Sequence, residues 1–366
     1  MKKIMIKFLF LALVLLGMSK GVAQESDNTK VILITLDGLR WQELFSGADP
    51  LLMTNTEYVH DTTALKETFW KDSPKKRREA LMPFLWTEVS KMGQIHGNRN
   101  LGSKVDLTNK MWFSYPGYNE ILTGKADDAR IDSNDKIPNP NETILEIANN
   151  DARYKGKVAA FGSWDVFPYI VNEERSGVPV NAGFETAKGN DLTDREKFLN
   201  ELQPKVPSPW GTVRLDAFTH YYALEHMKKS HPELVYIAYG ETDDFAHDGE
   251  YDAYLKSAHT TDSMIRELWN FTQSDEFYKD NTVFIVTTDH GRGTDPLETW
   301  KGHGSDVNEA GGVWMVLFGK GVVATGEVSK EEQLYSNQIA PTISHTLYLK
   351  VASSKMEGKP LKSVTN

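Results

Sequence analysis

The chain has 366 residues, a formal net charge of −10 and no cysteine. The lack of cysteine excludes disulfides, thiolate metal ligands, a cysteine nucleophile and a lipoprotein anchor. The acidic balance argues against binding a nucleic-acid backbone, which takes clustered positive charge. It leaves open a small phosphorylated substrate, because bound metal ions supply positive charge that a side-chain count does not see.

Lys2, Lys3 and Lys7 precede an apolar run from Phe8 to Leu16, and the small residues Gly21 and Ala23 stand before Gln24. This is the pattern of a cleavable secretory signal over residues 1–23, too short and wrongly flanked for a membrane anchor. That stretch holds four lysines and no acid, so the mature chain of 343 residues, 24–366, is expected to carry −14. It is expected to be soluble in the periplasm or outside the cell. Its length suffices for one large α/β domain.

In chain order, the first predicted strand is Val31–Leu36, followed at once by Asp37-Gly38. Residues 49–110 are polar, carry a basic cluster at Lys75–Arg78, and read as a helical insertion on the domain. Next comes Ser114-Tyr115-Pro116-Gly117-Tyr118, running on to Gly124. Pro116 suits the first turn of a short helix and Gly124 its end. Ser114 would then open that helix, either as an ordinary N-cap or as a hydroxyl whose alkoxide the positive helix end favours. A strand at Val158–Phe161 follows. Residues 181–210, rich in Pro, Gly, Asp and Lys, read as a second insertion over the active face.

The next strand, Leu234–Tyr239, leads into Gly240-Glu241-Thr242-Asp243-Asp244-Phe245-Ala246-His247. After Gly249, the residues Tyr254, Leu255, Ala258, Ile265, Leu268 and Trp269 recur at helical spacing. Strand Val283–Thr288 ends in Asp289-His290-Gly291, His303 lies between two glycines, and Val313–Phe318 closes the series. Short apolar strands alternating with helices predict a layered α/β fold. Its central sheet is expected to be mostly parallel, with helices on both faces.

Three strands thus deliver carboxylates and imidazoles at their carboxyl ends, the edge where open α/β sheets hold ligands. Asp243 and His247, four apart, share one face of a helical turn. Asp289 and His290 are adjacent at a strand end, and the glycines around His303 let the backbone come close. Mixed carboxylate and imidazole donors suit divalent metal, zinc first and manganese or iron after it. Metal near Asp37, Asp289 and His290 would lower the pKa of the Ser114 hydroxyl.

This ordered set resembles the alkaline phosphatase superfamily, and within it the type I phosphodiesterases and nucleotide pyrophosphatases. The resemblance implies an alkaline-phosphatase-like fold and two metal ions. Asp37, Asp289 and His290 would hold one ion with Ser114 as fourth ligand and nucleophile. Asp243, His247 and His303 would hold the other. It also implies a phosphoryl-binding asparagine, for which Asn134 fits by spacing while Asn139 and Asn141 compete. Backbone amides after Ser114 are expected to bind the phosphoryl oxygens with it. Where the family has Asn-His after the proline, this chain has Gly117-Tyr118.

The expected function is hydrolysis of phosphate monoesters or diesters. A sulfatase is the alternative, but the sulfatase signature needs arginine where Tyr118 stands. A phosphoglycerate-mutase-like phosphotransferase is a second alternative, disfavoured by the export signal. Arg40, Arg292 and Lys301 are candidate cations for a monoester's extra charge. Trp112, Tyr115, Tyr118, Trp164 and Phe167 could wall a diester's second substituent, or simply pack in the core.

Overall fold

A computed structural model describes residues 28–352, 355–362 and 364; the expected signal segment, 1–23, lies outside the described residues. Eleven strands form two sheets: β1 (Lys30–Leu36), β2 (Gly93–His96), β3 (Ser103–Asp106), β4 (Val158–Gly162), β5 (Val180–Ala182), β6 (Leu234–Tyr239), β7 (Thr282–Thr287), β8 (Gly312–Val313), β9 (Met315–Gly319), β10 (Gly326–Glu327) and β11 (Glu332–Tyr335). The large sheet runs β10-β2-β9-β7-β1-β6-β4-β5 and the small one β11-β3-β8. In the large sheet β5, β4, β6, β1 and β7 are parallel, and only β9 runs against its neighbours. The mostly parallel α/β layering expected from the sequence is what forms.

Every residue of β1, β6 and β7 is buried, which explains why these strands read as continuous apolar runs. The pleat divides them between two cores. Ile32, Ile34 and Leu36 of β1 enter one, while Val31 and Leu33 enter the other. The first core is closed by the long helix Tyr251–Ser274, whose Tyr254, Leu255, Ala258, Ile265 and Leu268 all pack into it. The second is closed by the helices Ser114–Thr123, Ile144–Asn150 and Ile339–Thr346.

Of the residues 49–110 read as a helical insertion, 50–92 hold short helices separated by turns, but 93–106 are mostly strand. They supply β2 to the large sheet and β3 to the small one. Strands this short, with Lys104 exposed in β3, lack a periodicity that polar composition would not hide. The stretch 181–210 begins in the edge strand β5 and contains the helix Asp194–Leu202, opened by a reciprocal cap between Thr193 and Glu196. The run expected at Val313–Phe318 is two strands. Trp314 falls between them, where the chain passes from the small sheet to the large one. Among the described residues no helix is long and apolar enough to cross a membrane.

Candidate metal centre and nucleophile

The carboxyl ends of β1, β6 and β7 lie side by side in the middle of the large sheet. Asp37 follows β1 directly and Asp289 lies two residues beyond β7, while β6 passes through Gly240 into the helix Glu241–His247. Gly38, at φ +59°, turns the chain after Asp37 and donates its N–H to Asp289 Oδ1 at 3.1 Å. A side chain there would collide with Arg292 and Asp243, so the tight turn belongs to glycine.

One cluster joins Asp37, Asp289 and His290, all buried, with their ligand atoms within 4.8 Å of one another. His290 Nδ1 lies 3.0 Å from the carbonyl of Gly291, which can only accept, so this nitrogen carries the hydrogen. The opposite nitrogen then turns its lone pair toward Asp37 Oδ1 at 3.2 Å and Asp289 Oδ2 at 3.6 Å. Both of those oxygens are buried without a hydrogen-bond partner. Burial, and then the neighbouring Asp243, push the Asp37 carboxyl well above its ordinary value. Burial and then Asp37 do the same to Asp289. Three electron-pair donors facing one another repel, which is why both carboxyls are raised, and either protons or a cation must relieve that repulsion. The residues therefore fit a divalent ion.

A second cluster joins Asp243, His290 and His303, so His290 lies between the two. Asp243 and His247 share a helical face as the spacing predicted, with His247 Nε2 3.4 Å from Asp243 Oδ2. His247 Nε2 also lies 3.0 Å from His303 Nε2. Burial works to raise the Asp243 carboxyl, but the Arg292 guanidinium and His247 hold it well below the ordinary range. Burial, and then His290, lower the His303 imidazole to about 2, leaving it neutral and able to donate a lone pair.

Ser114 is buried as the first residue of its helix and its Oγ lies 3.5 Å from His290 Nε2. It is not the N-cap; Phe113 is, with no side-chain cap bond. The helix approaches Asp289 so closely that a Cβ on Gly117 would stand 2.3 Å from the Asp289 carbonyl oxygen. Glycine is required there by contact. Tyr118, one residue on, donates its hydroxyl hydrogen to Asp37 Oδ2 at 2.7 Å. The pair Gly117-Tyr118, a departure from the family pattern in sequence, thus forms the seam between nucleophile helix and metal centre.

Of the candidate asparagines, the structure brings only Asn134 to the nucleophile. Its Oδ1 accepts from the Tyr115 backbone N–H at 3.0 Å, beside Ser114. The Asn139 amide is buried and engaged with Asn119 and Ile170, and Asn141 with Asn119, Asp127 and Arg130. The expected cradle of amides after Ser114 does not form. Asn134 takes the N–H of Tyr115, Pro116 has none, and Gly117 bonds Phe113. This leaves the N–H of Ser114 itself.

Two of the candidate cations are committed elsewhere. Arg40 is buried against Glu43 and the Gly293 carbonyl. Arg292 bonds Asp243 and the carbonyls of Gly38 and Lys301. Lys301 is half-buried with its ammonium 5.5 Å from the Tyr58 ring. Tyr115, Tyr118 and Phe167 are core residues, leaving Trp112 and Trp164 half-buried. The role of Arg292 was misread from sequence; its place directly after Asp-His-Gly was the available signal. Thr242, whose hydroxyl donates to the Asp37 carbonyl at 2.5 Å, carried no signal at all.

Residues 181–351 match the family model of the metalloenzyme superfamily. No curated protein matches the sequence. Among solved structures the chain is similar to the alkaline phosphatase PafA, with a TM-score of 0.60 at 11% identity over 92% of this chain and 99% of that one. It is similar to a 2-O GAG sulfatase, with a TM-score of 0.56 at 11% identity over 91% of this chain and 73% of that one. It is also similar to a phosphonate monoester hydrolase from Silicibacter pomeroyi, at 0.53 and 14% identity over 91% and 76%. At such identities the likeness is one of fold.

Proposed function

We propose that this chain is a metal-dependent hydrolase of the alkaline phosphatase superfamily, an exported phosphate ester hydrolase with Ser114 as its nucleophile, a reading supported by the metalloenzyme family match and the shared fold. The observation that carries this reading is the position of Ser114 Oγ. It stands at a helix N-terminus, 3.5 Å from the His290 nitrogen that Asp37 and Asp289 also face.

Asp37, Asp289 and His290 would hold one ion and Asp243, His247 and His303 the other, with zinc the ion that best suits these donors. Such a pair, when bound, acidifies the serine hydroxyl and neutralises charge on the leaving oxygen. The Ser114 oxygen attacks phosphorus, the P–O bond to the alcohol breaks, and the alcohol leaves. Water then hydrolyses the phosphoserine, returning the serine and releasing phosphate or a phosphomonoester. The Asn134 amide nitrogen and the Ser114 backbone N–H would bind the phosphoryl oxygens, a reading supported by the bond of Asn134 Oδ1 to the Tyr115 N–H beside Ser114.

A sulfatase reading is supported by the sulfatase among the similar folds. Against it stands Tyr118, where the sulfatase signature needs arginine, with its hydroxyl engaged by Asp37. A panel of aryl phosphate monoester, aryl phosphate diester and aryl sulfate, assayed with added zinc, decides the matter. Turnover of a phosphate ester above that of the sulfate is the expected result; preference for the sulfate overturns the proposal.

A further inference from the structure

A second group of metal-ligating side chains lies outside the catalytic cluster. His60, Glu250 and Asp252 each offer one ligand atom, and these atoms lie within 4.8 Å of one another. His60 stands in the turn before the helix Thr62–Phe69, in the helical segment 50–92. Glu250 and Asp252 stand at the start of the helix Tyr251–Ser274. A main-chain bond joins the two parts, Tyr251 N–H donating to Tyr58 O at 2.8 Å, and Glu250 N–H donates to Phe245 O at 2.9 Å within the second part. The donors are therefore placed before any ligand arrives.

His60 Nε2 lies 2.7 Å from Glu250 Oε2, which by itself would be an ordinary exposed pair. Asp252 is the residue that a simple pair does not explain. Its side chain is 9% exposed, and although Lys256 reaches Oδ2 at 3.2 Å, Oδ1 is buried with no hydrogen-bond partner. A buried carboxylate oxygen without a donor is unfavourable unless a cation meets it. The imidazole opposite is 75% exposed and open to an incoming ion.

We propose that His60, Glu250 and Asp252 form a peripheral divalent-cation site, distinct from the catalytic cluster. One imidazole and two carboxylates favour zinc or manganese over calcium or magnesium, whose sites are all oxygen. An ion here ties the helical segment to the start of the helix Tyr251–Ser274, with Glu250 three residues after the end of the helix Glu241–His247.

Zinc itself is the probe. Metal-stripped protein is equilibrated with excess zinc, passed through a desalting column, and its metal counted by mass spectrometry for wild type, His60→Ala and Glu250→Gln. Each variant is expected to retain one ion fewer per chain than wild type, with aryl phosphate turnover unchanged. Crystals should give a zinc anomalous peak between the three side chains. Equal ion counts in wild type and Glu250→Gln, the isosteric variant least prone to misfold, overturn the site, as does the absence of the anomalous peak. The readout is a difference between chains, so it is independent of how many ions the catalytic cluster holds.

Discussion

The Tyr118 hydroxyl holds Asp37 Oδ2 at 2.7 Å, and by doing so it aims Asp37 Oδ1 at His290 Nε2, 3.2 Å away. A tyrosine on the nucleophile's own helix therefore orients a carboxylate on the central strand. Tyr118→Phe removes the hydroxyl without changing the T-shaped contact of the ring with Phe167. Partners of metal ligands of this kind affect ion affinity by about 10- to 100-fold. The expected result is zinc affinity weakened in that range with the thermal melt nearly unchanged, read by competition with a chelator. Unaltered affinity would show that Asp37 is held by its strand alone.

Metal removal should abolish activity without unfolding the chain. Asp37 and Asp289 sit just beyond strand ends and Asp243 in the first turn of the helix Glu241–His247, at the edge of two large apolar cores. A chelator should inactivate the enzyme, and zinc restore it, while the far-UV circular dichroism stays native. Full activity in metal-free protein contradicts the proposed mechanism.

The two clusters should respond separately to mutation. His303→Ala removes a side chain from the Asp243 cluster and leaves Asp37 and Asp289 untouched. It should lower the bound metal by one ion per chain and reduce activity, with the remaining ion held at the Asp37 side. Loss of every catalytic ion in this variant would mean that His290, common to both clusters, makes them a single unit.

Ser114→Ala should lower turnover by at least about a thousandfold, since the nucleophile itself is lost. It should leave metal content unchanged. Ser114→Thr should retain part of the activity, because threonine presents the same oxygen with one added methyl. Acid-quenched turnover followed by peptide mass spectrometry should find serine or phosphoserine at position 114. Formylglycine there would instead identify a sulfatase.

A pH dependence is expected from Asp262, far from the metal centre. Its carboxylate accepts the N–H groups of Phe84 and Leu85 at 2.7 and 2.9 Å, anchoring the end of the helical segment to the helix Tyr251–Ser274. Burial raises it from the ordinary 3.8 to about 6, against those two hydrogen bonds. The folded chain therefore holds this proton more tightly than the unfolded one. The resulting stabilisation is complete below pH 3.8 and is lost as pH rises through about 6. Asp262→Asn should abolish that slope in urea titrations across the window. It should also cost about 1–3 kcal/mol, because one of the two N–H groups loses its acceptor. An unchanged slope would place the titration elsewhere.

The fold was legible where burial is two-sided. β1, β6 and β7 carry unbroken apolar runs because both faces are covered, and their boundaries fall within one residue of those read from sequence. β2, β3 and β8 escaped notice because two to four residues carry no period. The convergence of Asp37, Asp243, Asp289 and His290 was legible for a different reason: each follows a strand closely, so sequence order encodes their meeting, whereas His303 joins them from a loop. What could not be read was how the satellite groups are engaged. Arg292 looked like a free cation, and its bonds to Asp243 and Gly38 depend on chain segments about 50 and 250 residues away. Asn139 and Asn134 differ by five positions, yet one is locked in the core and the other faces the nucleophile.

The contact at Gly117 has a consequence for what the site can admit. Backbone abuts backbone where the Ser114 helix meets Asp289, so the spacing of that helix from the Asp37–Asp289–His290 cluster is fixed like a machined clearance. No side chain is present at that point to swing aside, and the helix cannot back away without parting from the strand end. A larger substrate gains no room by pushing on the nucleophile. Under the proposed hydrolase function, selection among alcohols would fall to the half-buried surface farther out, where Trp112 and Trp164 stand, and changes of specificity are expected to arise there while residue 117 stays glycine.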